Sequence, residues 1–469
     1  MRVKFQQAGL ILLGLVAGVL ISLNFSASAQ KDPATVLPVE ELRSFADVFN
    51  AIKQGYVEPI EDKKLITHAI SGMLSNLDPH SAYLDSDSFK DLQVSTQGEF
   101  GGLGIEVGME DGFVKVISPI EDTPAFKAGV KTGDLIIKLD ETPVKGMTLN
   151  DAVKRMRGKP KTSIVLTIAR KGEIKPIVTT IVREVIKVQS VKSKLLEAGF
   201  GYLRVTQFQE ETASDVVKQL DKLFKQNKDG KEPLRGLVLD LRNDPGGLLH
   251  GAVGVSAAFL PAKTLVVSTD GRTEDAKRKF FASPEDYMRG NREDILKNLP
   301  AAARTLPLVV LVNGGSASAS EIVAGALQDH KRAVVMGTQT FGKGSVQTIL
   351  PLSNNTAIKL TTARYYTPGG RSIQAKGITP DVIVEESANG ASHERLREAD
   401  LERHLDNDRE KAKEPAPKPA AATKNGKTKG KDEAEEEPKP PIFEFASKND
   451  YQLNQALSLL KAWQIIKQR

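Results

Sequence analysis

Apolar positions near the N-terminus recur at the spacing of one helix face. They run from Leu42 to Ile52 and again from Leu65 to Leu77, and Pro59 separates the two runs. The pattern predicts two helices within an N-terminal region at 36–95. A turn-rich segment with the sequence LDPHSAYLD, at Leu77–Asp85, ends this region.

Residues 98–183 alternate short apolar runs with glycine turns, which is typical of a small β-rich domain. A GGLG turn comes first and is followed by a strand. KTGDLI then introduces another strand, a helix is predicted from Thr148 to Met156, and the strand SIVLTIAR follows.

Residues 190–390 alternate buried strands with helices. The segments GFGYLRV and PLRGLVLDL predict strands, PLVVLVN is an apolar run that predicts a buried strand, and a helix is predicted from Glu211 to Phe224. A glycine turn at Gly246 and Gly247 ends the second strand. The alternation predicts an α/β core with a mixed sheet.

The C-terminal part has two patterns. Residues 406–441 contain no aromatic and no branched aliphatic residue, so this Lys, Glu, Pro and Ala segment predicts a disordered linker. Order returns at 449–469, where Leu453, Leu457, Leu460, Trp463 and Ile466 form one helical stripe. The stripe must dock, either on the same chain or on another copy.

The first residues predict an export signal at 1–29. Two positive charges precede the uncharged stretch Ala8 to Phe25, and a small-residue pattern ends at Ala29. Cleavage after Ala29 and retention as an inner-membrane anchor both remain open. Either outcome places the body of the protein in the periplasm. The absence of cysteine agrees with an oxidising compartment and excludes a cysteine nucleophile and thiolate metal sites.

Charge and motifs exclude other function classes. The net charge is only +6 over 469 residues, and no basic cluster marks a nucleic-acid surface. No HExxH motif of a metalloprotease occurs. We expect no nucleic-acid partner, no metal and no cofactor.

The segment from Asn313 to His330 combines a buried strand, a tight turn and a helix that begins among serines. The free N–H groups and the dipole at a helix N-terminus favour a developing anion there. The residues alone leave Ser316, Ser318 and Ser320 as equal candidates for a nucleophile. A simple helix cap with a small-residue packing face is the alternative.

A serine nucleophile needs a base, and none of the six histidines lies in a serine-protease motif. Lys343, in the sequence FGKGSVQ, has apolar neighbours that make burial plausible, and burial lowers the pKa of a lysine. Gln347 is four residues further on and can accept a hydrogen bond from the amine. The alternative is a surface lysine in a glycine turn.

These residues resemble the C-terminal processing (tail-specific) peptidases, which are serine–lysine dyad proteases with a PDZ module. The resemblance implies a nucleophile at Ser318, a base at Lys343, an assisting Gln347 and a supporting Asp329. It also implies oxyanion donors at the N–H of Ala319 and of Gly246 or Gly247. The fold it implies is multidomain α/β, with a crotonase-like ββα-superhelix protease core, an inserted PDZ domain and an N-terminal helical region.

The β-rich region at 98–183 resembles a circularly permuted bacterial PDZ domain. Its carboxylate-binding loop is then Gly102-Leu103-Gly104-Ile105, whose successive N–H groups converge on the end of a peptide. The expected partners are protein substrates with exposed C-terminal tails and other copies of the chain, because similar proteases make dimer contacts through their N-terminal region. An adaptor protein is a further candidate.

The sequence therefore predicts a periplasmic serine endopeptidase that recognises C-terminal tails and cleaves through an acyl-enzyme. A non-catalytic PDZ scaffold is the second hypothesis, and the combination of Ser318, Lys343 and Gln347 argues against it. A third is an exported PDZ protease with a Ser-His-Asp triad. That enzyme would place its PDZ domain after the protease domain and would contain a GNSGG-type segment, which is missing here.

Overall fold

A computed structural model describes residues 37–120, 122–197, 199–228, 233–290, 293–388, 395–409 and 445–467. The predicted export segment at 1–29 lies outside these residues. In the described part of the chain, no helix combines the length and the apolar character that a membrane crossing requires.

The chain divides into two compact units between Ala69 and Ile70. Helix α1 spans Val39–Gly55, and α2 spans Asp62–Ser75 and continues into the second unit. Both helices lie where the apolar spacing predicts them. The apolar side chains of Leu42, Phe45 and Val48 on α1 are 49%, 47% and 59% exposed.

The second unit begins with a short strand, a capped helix and the β-rich region. The bounds are β1 Ala82–Leu84, α3 Ser86–Gln97, β2 Glu99–Gly102, β3 Ile105–Glu110, β4 Phe113–Pro119, α4 Pro124–Lys127, β5 Leu135–Leu139, β6 Thr142–Pro143, α5 Leu149–Met156, β7 Ser163–Ala169, β8 Ile177–Val182 and β9 Glu184–Lys187. Asp85 caps α3 by accepting from Ser88 N–H at 2.8 Å.

The strands of the β-rich region form one main sheet in the order β3-β4-β5-β7-β8, and β6 pairs with β5. Strands β2 and β9 pair with each other at the entrance and exit of the region. Alternate residues of the main sheet point inward, and Val114, Ile136, Leu166 and Ile168 are almost fully buried. This small core is separate from the core that follows.

The rest of the unit is an α/β core whose bounds are β10 Val191–Glu197, β11 Phe200–Val205, α6 Thr212–Lys228, β12 Gly236–Asp240, α7 Leu249–Ala257, β13 Leu265–Gly271, β14 Arg278–Phe281, α8 Pro284–Tyr287, β15 Leu308–Val312, α9 Ala319–Asp329, β16 Val334–Gly337, β17 Ser345–Pro351, β18 Ala357–Tyr366, β19 Val382–Ile383 and α10 Tyr451–Lys467. The main sheet has the order β10-β11-β12-β15-β16-β19. Strand β10 is antiparallel to β11, and all later neighbours are parallel.

Helices cover both faces of this sheet, which explains why every residue of β12 and β15 is buried and why β15 is apolar throughout. Leu237 and Leu239 face the side of α6, α7 and α9, whereas Val238 faces the opposite side. Parallel strands end at a common edge, and the turns after β12 and β15 therefore meet. This meeting point carries the candidate site.

A second sheet has the order β1-β18-β13-β14, and β17 pairs with β18. The register places Gln347 on β17 opposite Thr361 on β18, and Ala82 on β1 opposite Lys359. The loop that carries Lys343 leads directly into β17. The second sheet thus supports the lysine, while the first supports the serine.

The C-terminal helix α10 docks on its own chain. Leu453 and Leu460 are buried against Tyr202, Val238 and other residues of the main sheet. Arg242 donates to Asp450, just before the helix, at 2.6 Å.

The predicted linker at 406–441 includes four described residues. Asn407 Nδ2 donates to Gln374 O at 2.9 Å, and Tyr366 donates its hydroxyl to Asp408 Oδ2 at 2.5 Å. Polar contacts hold these residues on the core, and such contacts leave no apolar pattern in a sequence. The remainder of the predicted linker lies outside the described residues.

Candidate active site

The three serines around the start of α9 have different hydrogen bonds. Ser316 donates its hydroxyl to Leu241 O at 2.8 Å, and Ser320 donates its hydroxyl to Asp244 O at 2.9 Å. The hydroxyl of Ser318 donates to no acceptor among the described residues. Ser318 is therefore the one serine of the three whose hydroxyl is available for chemistry.

Ser318 also has an unusual backbone. Its φ of 55° and ψ of −110° lie in a region that costs a side-chain-bearing residue about 1–3 kcal/mol. Its N–H donates to Glu321 Oε2 at 2.7 Å, and this bond holds the residue at the N-terminal end of α9. This backbone places Ser318 directly before α9, where the helix dipole favours negative charge.

The same carboxylate holds the backbone of the lysine loop. Lys343 N–H donates to Glu321 Oε2 at 2.9 Å, and Gly342 N–H donates to Oε1 at 2.7 Å. Thr340 completes the set with a hydroxyl bond to Oε1 at 2.5 Å. Burial raises the pKa of Glu321 to about 7, although these hydrogen bonds oppose the rise.

Glu321 was not among the residues singled out from the sequence. It occupies the third helical position after Ser318, and the S-x-x-E spacing of a capping box could have indicated it. The spacing does not show that the same side chain also holds the lysine loop, because that contact comes from a distant part of the chain.

The environment of Lys343 favours its neutral form. Burial lowers the pKa of its amine, and Lys359 lowers it further by charge repulsion. Glu398, Glu321 and Asp78 oppose this shift in that order. In the described part of the chain, Lys343 Nζ makes no hydrogen bond to the hydroxyl of Ser318.

Gln347 lies on β17, and its amide nitrogen donates to two hydroxyl groups. Nε2 donates to Ser345 Oγ at 2.9 Å and to Thr361 Oγ1 at 3.3 Å. Its amide oxygen accepts from no described residue. This oxygen is the atom that we expect to accept a hydrogen bond from the Lys343 amine.

The glycine turn after β12 lies against the serine turn. A Cβ built on Gly246 would come within 2.9 Å of both Ala319 N and Ser318 Cβ, so only glycine fits here. Gly246 itself donates its N–H to Asp244 Oδ1 at 2.8 Å. The N–H groups of Gly247 and Ala319 donate to no acceptor among the described residues, which leaves these two free beside Ser318.

Asp244 joins the two turns and was not singled out from the sequence. Its main-chain oxygen accepts from Ala317 N–H at 2.9 Å and from the Ser320 hydroxyl, while Oδ1 accepts from Gly246. The side chain is buried, and Oδ2 has no hydrogen-bond partner. Burial raises the pKa of Asp244 to about 8, so the acid is neutral at pH 7.

The predicted peptide-binding loop lines a groove of about 90 Å³ between β3 and α5. Gly102 to Ile105 form one wall, and Val153, Met156 and Arg157 lie on the other side. Leu103 and Gly104 donate their N–H groups to no described acceptor, whereas their carbonyls hold Ala125 and Ile120. Two free N–H groups therefore lie beside an apolar groove.

Comparison with known proteins agrees with this organisation. Residues 199–384 match peptidase family S41, residues 101–181 match a PDZ domain, and residues 21–88 match the N-terminal domain of the activating protease CtpB. The carboxy-terminal-processing protease of Bartonella bacilliformis is 50% identical over 373 residues, which cover 79% of this chain and 82% of that protein. The chain belongs to the carboxy-terminal processing proteases.

Two further members show the range of similarity. The carboxy-terminal processing protease CtpB of Bacillus subtilis is 34% identical over 391 residues, or 81% of this chain and 76% of that protein. Among solved structures, the photosystem II D1 C-terminal processing protease is 30% identical and covers 74% of this chain and 93% of its own, with a TM-score of 0.41.

As a carboxy-terminal processing protease, the chain is a serine peptidase with a PDZ domain. The prediction of an enzyme rather than a binding scaffold is confirmed. So is the prediction of a multidomain α/β fold that combines a peptidase core with a PDZ domain, since the PDZ match falls inside the β-rich region.

Asp329 lies at the far end of the serine-bearing helix. It ends the 11-residue helix α9, so it lies roughly 16 Å along the axis from Ser318. Its carboxylate accepts from Gly369 N–H at 2.7 Å and pairs with Arg371. It therefore holds the turn after β18 and contacts neither Ser318 nor Lys343, and its supporting role in the site stays a prediction.

Proposed function

We propose that Ser318 and Lys343 form a catalytic dyad that cleaves proteins bearing exposed C-terminal tails. The observation that carries this proposal is the Glu321 carboxylate, which accepts from the N–H groups of both residues. One buried acceptor thereby holds the only available serine hydroxyl of the turn next to a lysine whose pKa is lowered by burial.

In this mechanism the neutral amine of Lys343 removes the proton from Ser318 as Oγ attacks the substrate carbonyl carbon. The carbonyl oxygen becomes an oxyanion and accepts hydrogen bonds from the N–H groups of Gly247 and Ala319. Collapse breaks the C–N bond, and the lysine ammonium returns its proton to the leaving amine. Water then attacks the acyl-enzyme with Lys343 again as the base.

Within this proposal, Gly247 rather than Gly246 donates to the oxyanion, because the Gly246 N–H is already bonded to Asp244. Gln347 contributes its amide oxygen to the lysine amine and orients the lone pair toward the serine. An amide does this without the negative charge that would favour the ammonium form.

We infer that the groove at Gly102–Ile105 receives the substrate tail. The free N–H groups of Leu103 and Gly104 suit a terminal carboxylate, and the apolar lining of the groove suits an apolar last side chain. Short connections on both sides of the PDZ domain favour a gating role in addition to tethering.

We further infer a periplasmic enzyme that assembles with copies of itself. The basic start, the uncharged stretch and Ala27-Ser28-Ala29 support export. The exposed apolar face of α1 supports a contact between copies. An adaptor protein that presents substrates would bind in addition to the substrate tail in the groove.

The test is the Ser318→Ala variant of the full chain. We expect no cleavage of an unfolded substrate, an unchanged unfolding midpoint and continued tail binding, so that the variant captures its substrates for identification. Ser320→Ala is the matched control and should keep most of its activity, because its hydroxyl only supports the turn. Cleavage by purified Ser318→Ala would refute the serine assignment.

A further inference from the structure

The proposed mechanism leaves the LDPHS segment without a role, although its polar side chains are largely buried. Asp78 is only 4% exposed. Its carboxylate accepts from His80 N–H at 2.8 Å, from Ser81 N–H at 2.9 Å and from the Ser81 hydroxyl at 2.6 Å. These three bonds close a compact turn that is held as one piece.

A fourth bond connects this turn to the strand pair that carries Gln347. Thr361 donates its hydroxyl to Asp78 Oδ1 at 3.0 Å and accepts from Gln347 Nε2 at 3.3 Å. Because the amide nitrogen is held in this way, the amide oxygen of Gln347 points in a fixed direction. Asp78 therefore acts on the orientation of Gln347 through one hydroxyl.

His80 connects the same turn to the lysine loop. His80 Nε2 lies 2.7 Å from Glu398 Oε2, and the Glu398 side chain is 1% exposed. The N–H of Glu398 donates to Phe341 O at 3.1 Å. Gln374 donates to Glu398 Oε1 at 2.8 Å, and its own Oε1 accepts from Gly344 N–H at 3.0 Å.

Both arms end close to Lys343 in the chain. The Asp78 arm reaches Gln347 on the strand that follows Lys343, and the His80 arm reaches Phe341 and Gly344 in the lysine loop. We propose that Asp78–Ser81 is a positioning element for the proposed dyad, which sets the lysine loop and the Gln347 amide relative to Ser318.

This proposal rests on the Ser318–Lys343 dyad and assigns Asp78 and His80 no contact with substrate. A structural role and a positioning role differ in their pH dependence. The charged groups around the lysine amine are Lys359 on β18, Glu321 on α9, Glu398 and Asp78. The Asp78 charge favours the ammonium form, so its removal lowers the pKa of Lys343 further.

Two nearly isosteric substitutions separate the two connections of Asp78. Asp78→Asn removes the charge, and we expect kcat for a short peptide to fall about tenfold while the acid limb of the pH profile moves to lower pH. Thr361→Val removes only the linking hydroxyl, and we expect a similar loss of kcat without movement of the limb. KM and the affinity for a tail peptide should stay within about twofold in both variants.

Asp85→Asn is the matched control, because it changes another aspartate of the same motif that only caps α3. It should lower the unfolding midpoint and leave kcat and the pH profile unchanged. The proposal is overturned if both Asp78→Asn and Thr361→Val keep the wild-type kcat and pH profile while Lys343→Ala is inactive. If Lys343→Ala is itself active, the dyad is wrong and the positioning role falls with it. If Asp78→Asn does not fold, Thr361→Val alone decides the outcome by its effect on kcat.

Discussion

At the scale of single residues, the chemistry of the site depends on how burial changes the pKa of its ionisable groups. Glu321 and Asp244 are buried and Lys343 is partly buried, and in all three the loss of water around the charged group moves the pKa toward the neutral form. Burial is useful for the lysine, which must be neutral to act as a base. Glu321 and Asp244 are buried for a different reason, because their side chains, instead of water molecules, form the hydrogen bonds that hold tight turns.

Lys343 should behave as the base of a coupled pair. Lys343→Ala should lose about 10²-fold to 10⁴-fold in kcat, and the double variant with Ser318→Ala should be no worse than Ser318→Ala alone. Lys343→Arg should be equally inactive, because a guanidinium does not release its proton at usable pH.

The pH dependence of the wild-type enzyme gives an independent check. Since the pKa of Lys343 is lowered, kcat/KM should rise with pH through an apparent pKa well below the ordinary lysine value of about 10.4. A pH–rate profile governed by a group near pH 10 would contradict the assignment of the base.

Asp244→Asn should change how stability depends on pH. Burial raises the pKa of Asp244 from its ordinary value of 3.8 to about 8 in the folded protein, so the folded state holds an extra proton between these values. The free energy of unfolding therefore falls as pH rises through this window. An asparagine does not ionise, so the variant should not show the fall in the free energy of unfolding that Asp244 causes. The difference between the two proteins should be about 1 to 4 kcal/mol when urea unfolding is compared at pH 5 and pH 8. If the free energy of unfolding changes equally with pH in both proteins, the pKa of Asp244 is not raised.

At the scale of elements, the apolar pattern predicts which segments are helices and strands far better than it predicts their partners. The runs around β12 and β15 predict buried strands, since only a sheet covered on both faces accepts such sequences. The stripe on α10 predicts docking but not the surface that receives it. Its later residue Ile466 is 72% exposed, so the stripe does not dock along its whole length.

Leu460 on α10 should show what this docking contributes. Leu460 is fully buried against the main sheet, so Leu460→Ala should lower the free energy of unfolding by about 2–5 kcal/mol. Ile466→Ala on the exposed end of the same helix is the control and should change stability by no more than about 0.5 kcal/mol. Denaturant unfolding of the full chain measures both. Equal effects of the two substitutions would mean that α10 is not docked in solution.

The candidate site shows the same limit of sequence reasoning. The glycine pair, the serine run and the lysine can be found because each has a local signature. Glu321, Asp244 and the Asp78–Thr361 connection depend on contacts between segments far apart in the chain, and no periodicity records them. The resemblance to a family could select Ser318, whereas the hydrogen bonds of Ser316 and Ser320 explain the selection.

At the scale of the whole molecule, the PDZ domain interrupts the path from the N-terminal helices to the peptidase core. Its first and last strands, β2 and β9, pair with each other, so the chain enters and leaves the domain side by side. Lys154 and Arg157, at the end of α5, also form ion pairs with Asp87 and Asp91 on α3. The proposed tail binding in the groove would therefore act on a domain that is linked to the rest of the chain through these strands and α3. This geometry favours an effect on access to Ser318 in addition to substrate capture.

A separate tail peptide tests this effect. We expect it to stimulate cleavage of a short peptide that lacks a tail of its own, because binding energy shifts the population toward the open site. The Gly104→Val variant serves as the control, since a Cβ at this position would lie 2.2 Å from Thr123 and distort the loop. If the tail peptide inhibits cleavage by the wild-type enzyme or leaves it unchanged, the domain only tethers substrates.

The shared carboxylate of Glu321 has a consequence for how the two segments are ordered. One side chain holds the serine turn and the lysine loop, so the release of either segment leaves a buried acceptor with fewer donors. We therefore expect the ordering of one segment to favour the ordering of the other. Any change that displaces the Glu321 side chain should loosen both segments together.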